Sequence, residues 1–151
     1  MKESEGEKEK VNQSTEIKTI PVPFALGEIK EKISISTNTP SKQKIINQAF
    51  KCHSQGDILE ATKHYQYFID QGFKDHRVFS NYGVILKNLG KLEDAELSTR
   101  KAIEINPNYA EAHSNLGIVL KDLDELKQAE LSYRKAIQIK PDYSEAYSNL
   151  G

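Results

Sequence analysis

The sequence contains a single cysteine, Cys52, which excludes an intramolecular disulfide. It has no long hydrophobic run. The longest uninterrupted apolar stretches are a few residues, far short of the roughly 18 needed to span a membrane. The opening segment Met1–Lys10 is charged and lacks a secretory hydrophobic core, so the expected location is cytoplasmic. An excess of charge of one sign is also missing. Twenty-one Lys and Arg residues face 22 Asp and Glu, for a net charge of −1. Nothing in that balance favours a nucleic-acid backbone or an anionic membrane surface as a partner. Catalytic arrangements are absent as well. His53, His64, His76 and His113 form no pair at metal-ligand spacing, no Gly-rich phosphate loop precedes a helix, and no Ser or Cys nucleophile signature occurs. The expectation is a chain with no cofactor, no bound metal and no enzymatic activity of its own.

What is present is an internal repeat. Shifted by 34 residues, His76–Tyr109 and Ala110–Tyr143 agree at 18 of 34 positions, among them Gly83/Gly117, Ala95/Ala129, Ala102/Ala136 and Pro107/Pro141. A fixed period between about 20 and 50 residues marks a stacked-repeat architecture. The frame extends backward to Lys42–Asp75, a degenerate copy that keeps Asn47, Gly56, Ala61 and Ile69, and forward to Ser144–Gly151. Cys52 falls in register with Leu86 and Leu120, which reads it as a core residue.

Residues 1–41 have a different character. Lys-Glu alternation, interrupting prolines and a Ser/Thr/Asn-rich stretch leave little apolar surface to offset chain ordering, so a disordered segment is expected. Its one apolar island, Ile20–Leu26, reads as an extended linker or as a linear docking motif.

From Ser41 onward apolar residues recur every three or four positions. Val78, Phe79, Tyr82, Ile85, Leu86 and Leu89 form one stripe, and Leu92, Ala95, Ala102, Ile103 and Ile105 form another after Gly90-Lys91. Each copy is therefore two amphipathic helices joined by a short turn. Pro107 and Pro141 end the second helix, with Asn108 and Asp142 expected to cap the next. Asp57 and Glu60 have capping-box spacing.

These positions resemble the tetratricopeptide repeat (TPR) family, whose 34-residue pattern is matched by His113, Leu116, Gly117, Leu120, Ala129, Tyr133, Ala136 and Pro141, and by Phe79, Tyr82, Gly83, Leu86, Ala95, Ala102 and Pro107. Departures from the pattern are Thr99 at an aromatic position, Phe68 at a small one and Phe73 at the closing proline. The last two give the first copy a cap-like character. The resemblance implies an all-α α-α superhelix, a TPR solenoid of three helix-turn-helix repeats (42–75, 76–109, 110–143) plus a truncated fourth (144–151).

Asn47, Asn81, Asn115 and Asn149 recur at the same register in every copy. In the family this position faces the concave groove, and the row resembles the asparagine ladder of O-linked N-acetylglucosamine transferase. An amide both donates and accepts, so such a row suits the backbone of an extended peptide. The alternative is that each amide bonds to its own scaffold. The resemblance also assigns the groove Arg77, Ser80, Val84, Lys87 and Asn88, then Glu111, Ser114, Ile118, Lys121 and Asp122. Arg77, Lys87 and Lys121 are the cations expected near ligand, the alternative for the two lysines being exposed, solvated charge. Ile46, Phe50 and Glu111 occupy the positions of the family's basic carboxylate clamp, which argues against that binding mode.

The expected partner is thus a peptide or protein segment, bound without catalysis. The alternative is the substrate-recruiting TPR region of a larger glycosyl-, sulfo- or methyltransferase. With only about two turns of a fourth repeat, apolar residues such as Leu131 and Ile137 are expected to be partly uncovered, and weak self-association through that end follows.

Overall fold

The computed structural model describes residues 40–151. The expected disordered segment and the Ile20–Leu26 island lie outside the described residues, apart from Pro40 and Ser41. Ser41 belongs to the folded part: its Oγ accepts from the Lys44 amide at 3.3 Å and caps the first helix.

Among the described residues seven helices follow one another: α1 (Lys42–Ser54), α2 (Ile58–Asp70), α3 (His76–Asn88), α4 (Leu92–Ile105), α5 (Ala110–Asp122), α6 (Leu126–Ile139) and α7 (Ser144–Leu150). No strand occurs among the described residues. Consecutive helices pair as hairpins, α1 with α2, α3 with α4 and α5 with α6, and α7 packs on α6. First helices also touch across repeats, α3 on α5 and α5 on α7, while successive second helices make no comparable contact. This asymmetry puts the first helices on the inner side of the stack.

The hairpin turns share one device. At the end of α3 the Gly90 amide donates to the Lys87 carbonyl at 2.9 Å and the Lys91 amide to the Leu86 carbonyl at 2.9 Å, with Gly90 at φ 76°. This is a Schellman closure, which needs a left-handed residue just past the helix. In the next repeat Asp124 takes the same role at φ 63°, which a short polar side chain tolerates. At the end of α2 the closure is completed by an apolar contact: the Phe73 amide donates to the Phe68 carbonyl and the two rings meet at a tilt, centroids 5.4 Å apart. Phe73 therefore turns the chain where later repeats use proline.

Helix starts are less regular than the sequence suggests. Asp57 accepts from the Glu60 amide at 3.2 Å, so the expected cap is made. Asn108 and Asp142 do not cap α5 and α7. The cap positions are Tyr109 and Tyr143, neither with a side-chain cap bond, and Asn106 Oδ1 instead accepts from the Asn108 amide at 3.2 Å. A backbone turn across each proline, from the Tyr109 amide to the Asn106 carbonyl at 3.2 Å and from the Tyr143 amide to the Lys140 carbonyl at 3.1 Å, holds Asn108 and Asp142 inside the turn, one residue ahead of the cap position.

The core is distributed along the stack. In the first hairpin Ile45, Ile46, Ala49, Cys52, Tyr65 and Phe68 pack with Val78 and Ile85 of the next. Leu116, Leu120, Ala129 and Tyr133 form a second cluster, and Leu86, Ala95 and Val119 join the middle repeat to the third. Cys52 is buried in the first cluster, in the register of Leu86 and Leu120.

Candidate functional site

Because the period is 34, Asn47, Asn81, Asn115 and Asn149 hold one register on α1, α3, α5 and α7, and α3 packs on α5 and α5 on α7. Asn47 is exposed, and its Oδ1 accepts from Gln43 Nε2 at 2.8 Å. Asn81 and Asn115 are half-buried, and each sends its Nδ2 backward into the preceding repeat. Asn81 donates to the Tyr65 hydroxyl at 3.3 Å, and Asn115 to Ser80 Oγ at 3.0 Å. At the last boundary the register equivalents, Asn149 Nδ2 and Ser114 Oγ, are both buried without a partner among the described residues.

The scaffold therefore takes the amide donors of Asn81 and Asn115 but not their acceptors. Neither Oδ1 accepts a hydrogen bond among the described residues. Ser80 and Ser114, assigned to the groove by resemblance, are 1% and 0% exposed, so they lie beneath the face rather than on it. The asparagine of the next repeat covers Ser80.

Behind Asn81 the polar contacts continue. The wholly buried Tyr65 hydroxyl lies 2.9 Å from His53 Nδ1, and the two rings meet edge to face. Burial pushes the Tyr65 phenol up to about 12, against the opposing pull of the Asn81 hydrogen bond. His53 is held below its ordinary value by burial. A histidine that resists protonation in the fold loses ground to the unfolded chain, which takes up its proton first as pH falls through about 6.5. Thermal stability should thus decline as pH is lowered from neutral through that value. The decline should be smaller in His53→Gln, as read by melting temperature against pH.

Arg77 stands one turn before Asn81 and is held on two sides. Its Nε and Nη2 meet Asp75 Oδ1 and Oδ2 at 3.1 and 2.8 Å, and its guanidinium lies 5.3 Å from the Phe50 ring centroid. Asp75 also caps α3 by accepting from the Arg77 amide at 3.0 Å. Burial works to raise the Asp75 carboxyl, but its bonds to Arg77 outweigh that and hold it below the usual carboxylate value. A planar cation held by a bidentate carboxylate and an aromatic face is oriented before any ligand arrives.

Lys87 and Lys121 lie in the last turns of α3 and α5, with no carboxylate within ion-pair distance among the described residues. Each is six residues past its asparagine, about a third of the way around the helix at 3.6 residues per turn. Their register in the first repeat is filled by His53, which turns to Tyr65. The positions sharing the asparagine stripe are Phe50, Val84 and Ile118, all half-buried. They give the face an apolar seam. The contacts that Asp75, Phe50 and Tyr65 make here escaped the sequence reading, which placed Phe50 only at a clamp position. The spacing of Asp75 before α3 was the available signal for the first, whereas the other two contacts join different hairpins. Among the described residues no group of three or more His, Cys, Asp or Glu side chains could hold a metal ion, and no helix is long and apolar enough to cross a membrane.

Stacked helical hairpins with a recurrent polar row on their first helices define an α-solenoid repeat protein. The tetratricopeptide repeat model matches residues 110–143, and a further TPR repeat model matches residues 83–124. Residues 83–143 thus carry tetratricopeptide repeats, and the whole stack has the fold of such repeats. No curated protein matches the sequence. Among solved structures, the first TPR of Spaghetti (RPAP3) bound to an HSP90 peptide is similar at 24% identity and a TM-score of 0.67, over 76% of this chain and 93% of that one. The second TPR domain of human RPAP3 in complex with an HSP70 peptide is similar at 19% identity and a TM-score of 0.64, over 70% and 88%. The Thermobaculum terrenum O-GlcNAc transferase is similar at 23% identity and a TM-score of 0.68, over 72% of this chain but 21% of that one.

Proposed function

We propose that the face built by α1, α3, α5 and α7 binds an extended peptide or protein segment without catalysis. The observation that carries this reading is the paired state of the asparagine row: Asn81 and Asn115 are oriented by donating to the scaffold, and each keeps a carbonyl oxygen for an incoming N–H. These two rungs then act as acceptors for ligand backbone rather than as two-way amides. First helices stacked at roughly 10 Å give about one rung per three residues of extended chain. The seam of Phe50, Val84 and Ile118 adds apolar contact, and Arg77, Lys87 and Lys121 supply cations for ligand carboxylates. Two similar TPR domains, those of Spaghetti and human RPAP3, are described with peptides bound, which supports a peptide as the ligand class. A soluble cytoplasmic adaptor is the setting this reading favours.

The test is capture from a peptide array by wild type and by an Asn81→Ala, Asn115→Ala double variant, with melting curves run alongside. At about 0.5–1.5 kcal/mol per hydrogen bond, losing two rungs weakens capture by about tenfold. Equal capture by a variant that still melts cooperatively removes the ladder reading. A second reading, the substrate-recruiting region of a larger transferase, is supported by the similarity to the Thermobaculum terrenum O-GlcNAc transferase. A downstream reading frame that continues the repeat favours it, and an independent terminator opposes it.

A further inference from the structure

The two complete repeats are unequally alike. Helices α4 and α6 share ten of 14 residues, whereas α3 and α5 share five of 13. The shared residues of α4 and α6 include outward-facing ones that the hairpin core does not require. Leu97 and Leu131 are 69% and 66% exposed, and each is preceded by a glutamate and followed three residues later by an arginine. The flanking charges pair along each helix, Arg100 with Glu96 at 2.7 Å and Arg134 with Glu130 at 2.7 Å. Leu97 borders an open cleft of about 620 Å³ between α2, α3 and α4, and Leu131 borders its counterpart of about 450 Å³ one repeat on. Leu97 belongs to the middle repeat, so the equal exposure of Leu131 is a property of this face and does not arise from its place in the last hairpin.

We infer that the α4–α6 face is a docking surface for a second copy of this chain, packed face to face about a two-fold axis running across both helices. Such an axis reverses helix direction. It lays Glu96 against Arg100 of the other copy and Arg100 against its Glu96, with the leucine between them meeting its own equivalent. Glu130, Leu131 and Arg134 repeat the arrangement one helix away. A two-fold interface requires a self-complementary patch. The sequence Glu-Leu-Ser-x-Arg is self-complementary when read against itself in reverse, and its presence at one level on both helices lets a single axis satisfy both. Leucines buried at the centre with charges at the rim match the anatomy of a stable protein interface. This surface lies on the second helices and leaves the asparagine row on the first helices open.

Sedimentation of the full chain in the high-micromolar range should show reversible dimerisation, weakened at least tenfold by Leu97→Asp with Leu131→Asp. The asparagine row and α7 are untouched in that variant. The geometry is tested by charge reversal: Glu96→Arg, Glu130→Arg in one copy and Arg100→Glu, Arg134→Glu in another. Each should sediment as a monomer alone, and the mixture should recover a dimer. A wild type that stays monomeric overturns the inference, as does a leucine variant that associates as wild type does, which would place association at the α7 end. Failure of the mixed pair to recover a dimer overturns the antiparallel arrangement.

Discussion

Phe68→Ala should destabilise the first hairpin by about 3–5 kcal/mol, although it restores the small residue found in both later repeats. Ala102 and Ala136 occupy this register, and both are wholly buried. In the first hairpin the position has been rebuilt around a large ring. Phe68 is itself wholly buried, meets the Phe73 ring at 5.4 Å, and lies 5.8 Å beneath Lys42 Nζ, which in turn donates to the Lys74 carbonyl at 2.7 Å. Alanine removes most of a phenyl ring from a cluster whose other members cannot close the gap, because Tyr65, Ile45 and Ile46 are held by their own neighbours. Repeat arrays gain stability from each unit and from its interface with the next, so the loss should be local. Hydrogen exchange should rise sharply in α1 and α2 and much less in α5 and α6. A cost below about 1 kcal/mol in chemical denaturation would mean that the site collapses onto the smaller side chain.

Gly117→Val should cost about 2–3 kcal/mol by overpacking. A Cβ at Gly117 would lie 2.5, 2.7 and 2.8 Å from three ring carbons of Tyr133, which is only 3% exposed and has no room to withdraw. A Cβ at Gly83 would meet the partner helix in the same way, 2.5 Å from Thr99 Oγ1 and 3.2 Å from the Ala95 carbonyl. Glycine at the helix crossing is therefore matched to the residue 16 positions on. Valine is used rather than alanine because the roughly 1 kcal/mol of helix propensity gained on leaving glycine would mask part of the clash with alanine. In a Tyr133→Ala background the same substitution should cost clearly less, since close neighbours couple. Equal costs in both backgrounds would locate the strain elsewhere.

The fold was legible because its cause is periodic. Gly83, Ala95, Ala102 and Pro107 return 34 residues later for reasons internal to each hairpin, so helix number, pairing and the core place of Cys52 follow from spacing. Local chemistry was legible to a lesser degree. Asp57 caps α2 as its spacing requires, but the proline turn ahead of α5 holds Asn108 one residue short of the cap position, and α5 has no side-chain cap. The candidate site was legible only as a row of residue types. Ser80 and Ser114 read as groove residues and are buried, and Asp75, which orients Arg77, passed unnoticed.

The amino-acid order thus sufficed for an all-helical stack with one amide per repeat, since hydrophobic period and helix-ending residues act within about a dozen neighbours. The inter-repeat angle settled what those amides do. It placed Asn81 against Tyr65, 16 residues earlier, and Asn115 against Ser80, 35 residues earlier. These bonds use the donors and leave the acceptors, a division made by the way one hairpin leans on the next. No spacing along the chain encodes that lean.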